Sequence, residues 1–127
     1  RKGGAGPRLF TLARRVSPHA RHLHKYTGTP LPPQLHFHFR AGAEETGRSA
    51  SNVEEFHREI RRAEGRVVRH HALHGDLSRW IAEVLRDAVL AETVRKSERA
   101  LRNRASAYEI ESLRTEVLAA IQNRYQG

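Results

Sequence analysis

The sequence predicts an α+β domain: a small two- or three-stranded sheet packed by about three helices, with an extended basic N-terminal arm. Three observations predict it. "LHFHFR" (Leu35 to Arg40) alternates apolar and polar residues with the period of two that a half-buried strand requires. "DLSRWIAEVL" (Asp76 to Leu85) places Leu77, Trp80, Ile81, Val84 and Leu85 at i, i+3, i+4, i+7 and i+8, the stripe of a core-facing helix. The positive charge is concentrated at one end. Residues 1–40 hold Arg1, Lys2, Arg8, Arg14, Arg15, Arg21, Lys25 and Arg40 and no acidic residue. The other 15 of the 23 basic residues face all 14 acidic ones, so the body is nearly neutral within a chain of net charge +9.

Taken in order, residues 1–34 read as an arm. Gly3, Gly4, Gly6 and Pro7 break regular structure at its start, and a short helix is expected around residues 8–16. "TGTPLPP" (Thr27 to Pro33) is an extended connector, because each proline fixes its own φ and restrains its neighbour. The segment "RLFTLARRVSPHARHLHK" is Arg-rich and acid-free, as an organelle transit peptide is. The sequence opens on Arg1 and contains no Met, which reads as a processed chain, a fragment or a partial one.

The body spans 35–105. After the first strand, "AGAEETGRSAS" reads as a loop. Ser51 and Glu54 are spaced as a capping box for a helix whose stripe is Val53, Phe56 and Ile60, with Gly65 as its C-terminal cap. "RVVRHHAL" (Arg66 to Leu73) reads as a second strand on its paired β-branched valines, completing a strand–helix–strand crossover. Gly75 then ends that strand and Asp76 caps the next helix. Val89, Leu90 and Val94 continue the pattern after a break at Asp87, and "RKSERALRNRAS" suits helix or turn. Residues 106–127 form a last amphipathic helix, boxed by Ser106 and Glu109. Its stripe (Ile110, Leu113, Val117, Ala120, Ile121) packs on the domain's own sheet or on a partner helix.

The chain has no cysteine, so thiolate zinc sites, disulfides and cysteine nucleophiles are excluded. No apolar run approaches the roughly 18 residues of a membrane span. There is no glycine-rich phosphate loop, none of the seven serines sits in a nucleophile elbow, and Glu44 and Glu45 point apart on an extended chain. Catalytic residues are therefore expected to be none, and no cofactor is expected. Metal is not favoured either. If a site exists, it uses His36, His38, His70, His71 or His74, since neutral imidazoles bind zinc, copper or iron(II). "HxH" and "HHxxH" lack the glutamate of a zincin signature.

The arm is the candidate binding element. Arg1, Lys2, Arg8, Arg14, Arg15, Arg21, Lys25 and Tyr26 offer phosphate-pairing cations with stacking groups interleaved. The chain is rich in arginine, with only three lysines. No compact RNA-binding signature accompanies them, so the attraction is electrostatic. The stretch "FHF…SASNVEEFHREI…VVRHHALHGDLSRWIAEVLRDAVLAETV" resembles a family of small prokaryotic domains of unknown function. The matching positions over residues 35–95 are Phe37, Phe39, Phe56, His71, His74, Gly75, Asp76, Leu77, Ser78, Trp80 and Ile81. The resemblance implies a small α+β accessory module with no established activity. The expected function is a non-catalytic accessory subunit of a larger assembly, anchored by the arm to RNA in a ribonucleoprotein. The alternatives are a histidine-based metal-binding or redox-accessory domain and a protein-only adaptor. The expected location is cytoplasmic, with an organelle matrix as the alternative.

Overall fold

A computed structural model describes residues 28–103 and 105–126 of the 127. The described residues form an α+β fold with one two-stranded antiparallel sheet and five helices. A 3₁₀ turn (Pro33–Leu35) leads into β1 (Phe37–Ala41) and β2 (Glu44–Ala50). The helices are α1 (Val53–Arg62), α2 (Gly65–Leu73), α3 (Asp76–Glu83), α4 (Ala88–Asn103) and α5 (Ala107–Gln126). None is long and apolar enough to cross a membrane.

β1 forms where the alternation predicted it. Phe37 and Phe39 are buried while His38 is exposed. Its partner is not residues 66–73 but the segment expected to be a loop. β2 turns back through Gly42 (φ 62) and Ala43, with the positive φ at the position where tight hairpins favour glycine. The register slips between His38 and Arg40. Gly47 (φ 80) lies in this bulge, where Thr46 Oγ1 donates to the Phe39 carbonyl at 2.8 Å. Only Ala50 of β2 is buried. A bare hairpin is marginal in water, so this one is held by its inner face, which packs on α1 and α2.

"RVVRHHAL" is the second correction: it is helix α2. Its buried residues are Val67, Val68, His71 and Ala72, an i, i+1, i+4, i+5 pattern that belongs to a helix and not to a strand. The crossover expected between two parallel strands is therefore absent among the described residues. Gly65 begins α2 and does not cap α1, whose C-cap is Ala63. The carbonyls left open at that end receive Arg114 of α5, whose guanidinium donates to Ile60 O at 2.6 Å and Ala63 O at 2.7 Å. The N-terminal box of α1 is shifted by one residue. Asn52 Oδ1 accepts from Glu55 N–H at 2.8 Å, and the Glu55 carboxylate reaches back to Ser51.

The aromatic core joins sheet to helices. Trp80, only 8% exposed, stacks 4.6 Å from Phe56 and meets Phe37 edge-on at 5.9 Å. Its indole N–H donates to the Leu35 carbonyl at 2.8 Å. The helix break falls at Arg86 (φ 59) and Asp87, and Asp87 caps α4 by accepting from Leu90 N–H at 3.1 Å. Ser106 and Glu109 form the predicted box at α5. That helix buries Ile110, Leu113, Val117 and Ile121 against α1, α2 and α4, so its stripe covers helices and not the sheet.

Candidate functional site

The eight residues proposed for nucleic-acid or partner binding (Arg1, Lys2, Arg8, Arg14, Arg15, Arg21, Lys25, Tyr26) lie outside the described residues. The last residues of the predicted arm are tied to the body. Leu31 N–H donates to Ser51 O at 2.8 Å, and the Leu31 carbonyl accepts from His36 Nε2–H at 2.9 Å.

The five candidate histidines do not converge on one point. His36, His38 and His71 share a cleft of about 300 Å³ with Arg40, Asp76, Arg79, Trp80 and Glu83. His70 and His74 are not part of it. Their rings stack on each other, 4.4 Å apart, and His74 Nδ1–H donates to the His70 carbonyl at 2.6 Å.

His71 is the best-defined of the set. Its ring is buried against Phe37 and Phe39, with centroids 4.7 and 5.9 Å away. The Arg40 N–H donates to Nε2 at 3.0 Å, which makes Nε2 the lone-pair nitrogen. Nδ1 therefore carries the proton and donates to Asp76 Oδ2 at 2.8 Å. His70 repeats the device one residue earlier: its Nδ1 accepts the Gly42 N–H at 3.1 Å. The two N–H groups belong to the outer edge of the hairpin, where no further strand pairs with them. The adjacent histidines of α2 satisfy that edge, which would otherwise invite another strand.

Asp76, expected to cap α3, is its first residue, and Gly75 (φ 70) takes the N-cap position without a side-chain bond. The Asp76 carboxylate is divided between His71 and Arg79, whose NH1 lies 2.9 Å from Oδ1. Burial holds the His71 imidazole below its usual value, against the opposing pull of Asp76. A neutral, doubly hydrogen-bonded imidazole is positioned as a structural pin. To act as a general base it must first release the Arg40 backbone.

His70, His71 and Asp76 do bring three ligand atoms within 4.8 Å of one another. An ion seated there would have to displace the Nδ1 proton of His71 or the Arg40 N–H, so the donor set fits a metal only after rearrangement.

Sequence reasoning missed a second concavity. A groove of about 310 Å³ runs between α1 and α5, lined by Glu54, His57, Arg58, Arg61, Gln122 and Tyr125 among others. The signal was present in "FHREIRR", where His57, Arg58 and Arg61 fall beside the buried stripe of Phe56 and Ile60. No family model, curated protein or solved structure matches the chain.

Proposed function

We propose that this chain is a non-catalytic accessory subunit of a larger assembly, anchored to RNA by its basic N-terminal arm. The supporting observation is the contrast between body and arm. In the body, Arg48 pairs with Glu59, Arg66 with Glu44 and Glu64, Arg79 with Asp76, Arg95 with Glu92, Arg114 with Glu111, and Arg124 with Asp87. The first 40 residues have no acidic residue with which to do the same. Cations in a segment that has no acidic residue of its own gain most by displacing counterions from a polyphosphate backbone. Arginine's planar guanidinium suits phosphate and also stacks on exposed bases.

The test compares a labelled single-stranded RNA bound to the full chain and to a chain lacking residues 1–27, across a salt series. The cut falls before Leu31 because that residue is bonded to the body. Binding by the full chain alone, falling linearly in log–log form with salt, is the expected result. Absence of RNA binding by the full chain at physiological salt would overturn the reading and favour a protein-only adaptor. A second reading, metal binding, is favoured by the approach of His70, His71 and Asp76. It predicts stoichiometric zinc or copper uptake that disappears in His71→Gln.

A further inference from the structure

We propose that the groove between α1 and α5 is a phosphate-binding site, placed to take a backbone phosphate of the RNA held by the arm. The inference rests on the RNA reading for the source of its ligand, but not for the anion chemistry. The first observation is an orphaned polar atom. His57 Nε2 is buried and makes no hydrogen bond among the described residues. Buried polar atoms are nearly always satisfied, and leaving one alone is costly. His57 is one of the residues that line a groove large enough to admit a ligand. The second is a pair of cations with no carboxylate at ion-pair distance among the described residues. Arg58 and Arg61 are exposed and line the same groove, and neither forms an ion pair among the described residues, unlike seven other arginines of the body.

The ligand class follows from these groups. Two exposed guanidinium groups, with the His57 ring beside them, present donors to an anion with several acceptor oxygens, and phosphate matches them better than a carboxylate does. Burial holds the His57 imidazole below its usual value, with the Arg61 charge adding to the effect and the Leu118 carbonyl opposing it. A neutral ring is free to carry its proton on Nε2 and donate it. The Gln122 side chain adds a neutral donor, and the hydroxyl of Tyr125 is anchored to Asp87 at 3.3 Å. Glu54 is the one carboxylate along the groove, and it marks the end nearest the arm. A Cβ on Gly28, the first described residue, would come within 3.8 Å of Glu54 Oε1. The described chain therefore begins at that end of the groove.

The test uses the full chain with two probes, inorganic phosphate and a labelled single-stranded RNA. The His57 ring resonance is followed by NMR, assigned by its loss in His57→Gln. Both probes should shift it. In the double variant Arg58→Gln/Arg61→Gln, the ring response to phosphate should vanish. The log–log salt slope of RNA binding should also shrink by about 1.4, about 0.7 for each lost phosphate contact on a single strand. Both arginines are exposed, so the variant is expected to fold, which circular dichroism checks. A His57 ring unmoved by either probe overturns the groove. So does a double variant whose salt slope equals that of the parent chain while Arg14→Gln/Arg15→Gln/Arg21→Gln lowers it, and in that case the arm reading stands. If RNA fails to bind but phosphate still shifts His57, the groove stands as an anion site and the ribonucleoprotein reading falls.

Discussion

The Nε atom of Arg124 lies 2.9 Å from Oδ2 of Asp87, tying the end of α5 to the cap of α4. Asp87 has no exposed surface, whereas the Arg124 side chain is 26% exposed. The carboxylate also accepts from Leu90 N–H and from the Tyr125 hydroxyl. Three donors from two elements therefore satisfy one buried charge. Arg124→Ala removes a formal counter-charge from this buried carboxylate and should destabilise the fold by about 3 kcal/mol, the low end for a broken buried pair, because the other two bonds persist. Asp87→Asn keeps the cap and should cost less than Arg124→Ala. Urea denaturation of the two variants would check the order, and the reverse order would mean that the buried carboxylate is tolerated without Arg124 and that its charge itself is stabilising.

His71 gives the fold a pH dependence with a definite sign. Burial places its folded-state pKa below the unfolded value of about 6.5. His57 and His70 are depressed as well, burial again being the largest cause. At pH values between the two states' pKa values the unfolded chain binds more protons, so stability rises with pH there. The contribution is complete above about pH 6.5 and is lost as the pH falls through the folded-state values. His71→Gln should be less stable than the parent at pH 7.5 and should lose less on going to pH 5.5. Parallel losses for parent and variant would show that His71 does not titrate in this range.

Trp80 is the largest single plug of the core, meeting Phe37 and Phe56 and bonding the Leu35 carbonyl. Trp80→Ala should cost about 3–5 kcal/mol through the cavity it leaves. Trp80→Phe should cost less but still leave the Leu35 carbonyl without its indole donor. A soluble Trp80→Ala chain with a near-parental unfolding midpoint would contradict the core placement.

Trp80 was legible from sequence because a helix stripe depends only on residues near in the chain. The same holds for β1 and for the box at Ser106 and Glu109. What failed was long-range or cryptic. Six of the seven residues of β2 are exposed, so its pairing leaves no alternation to read. Val67 and Val68 mimicked a strand because β-branched residues fit either state once buried, and only the recurrence at His71 and Ala72 distinguishes the helix. The sequence singled out His70, His71 and His74 as metal candidates and Asp76 as a helix cap. Their roles needed the hairpin edge, which arrives from about 30 residues earlier. The groove beside His57 was hidden for the same reason, since its second wall lies on α5.

Glu98 supplies a titration of the opposite sign. Its carboxylate, 1% exposed, reaches from α4 to the start of α3, where Oε1 accepts from Ser78 Oγ at 2.6 Å and Oε2 from Ser78 N–H at 3.2 Å. It thus does from another helix what an N-cap side chain does locally. Burial raises its pKa, and the Ser78 bonds oppose that shift without cancelling it. A raised carboxylate favours the fold most below its unfolded value of about 4.3, and that contribution is lost as the pH rises through the folded-state value. Glu98→Gln keeps one oxygen acceptor for Ser78 and removes the buried charge. It should be at least as stable as the parent at pH 7.5, with the difference narrowing towards pH 4.5. Glu98→Ala leaves the Ser78 donors unpaired and should cost about 1–3 kcal/mol at either pH. If Glu98→Gln proved as damaging as Glu98→Ala at pH 7.5, the ionised carboxylate would have to be stabilising at the start of α3, and helix-dipole attraction would outweigh desolvation there.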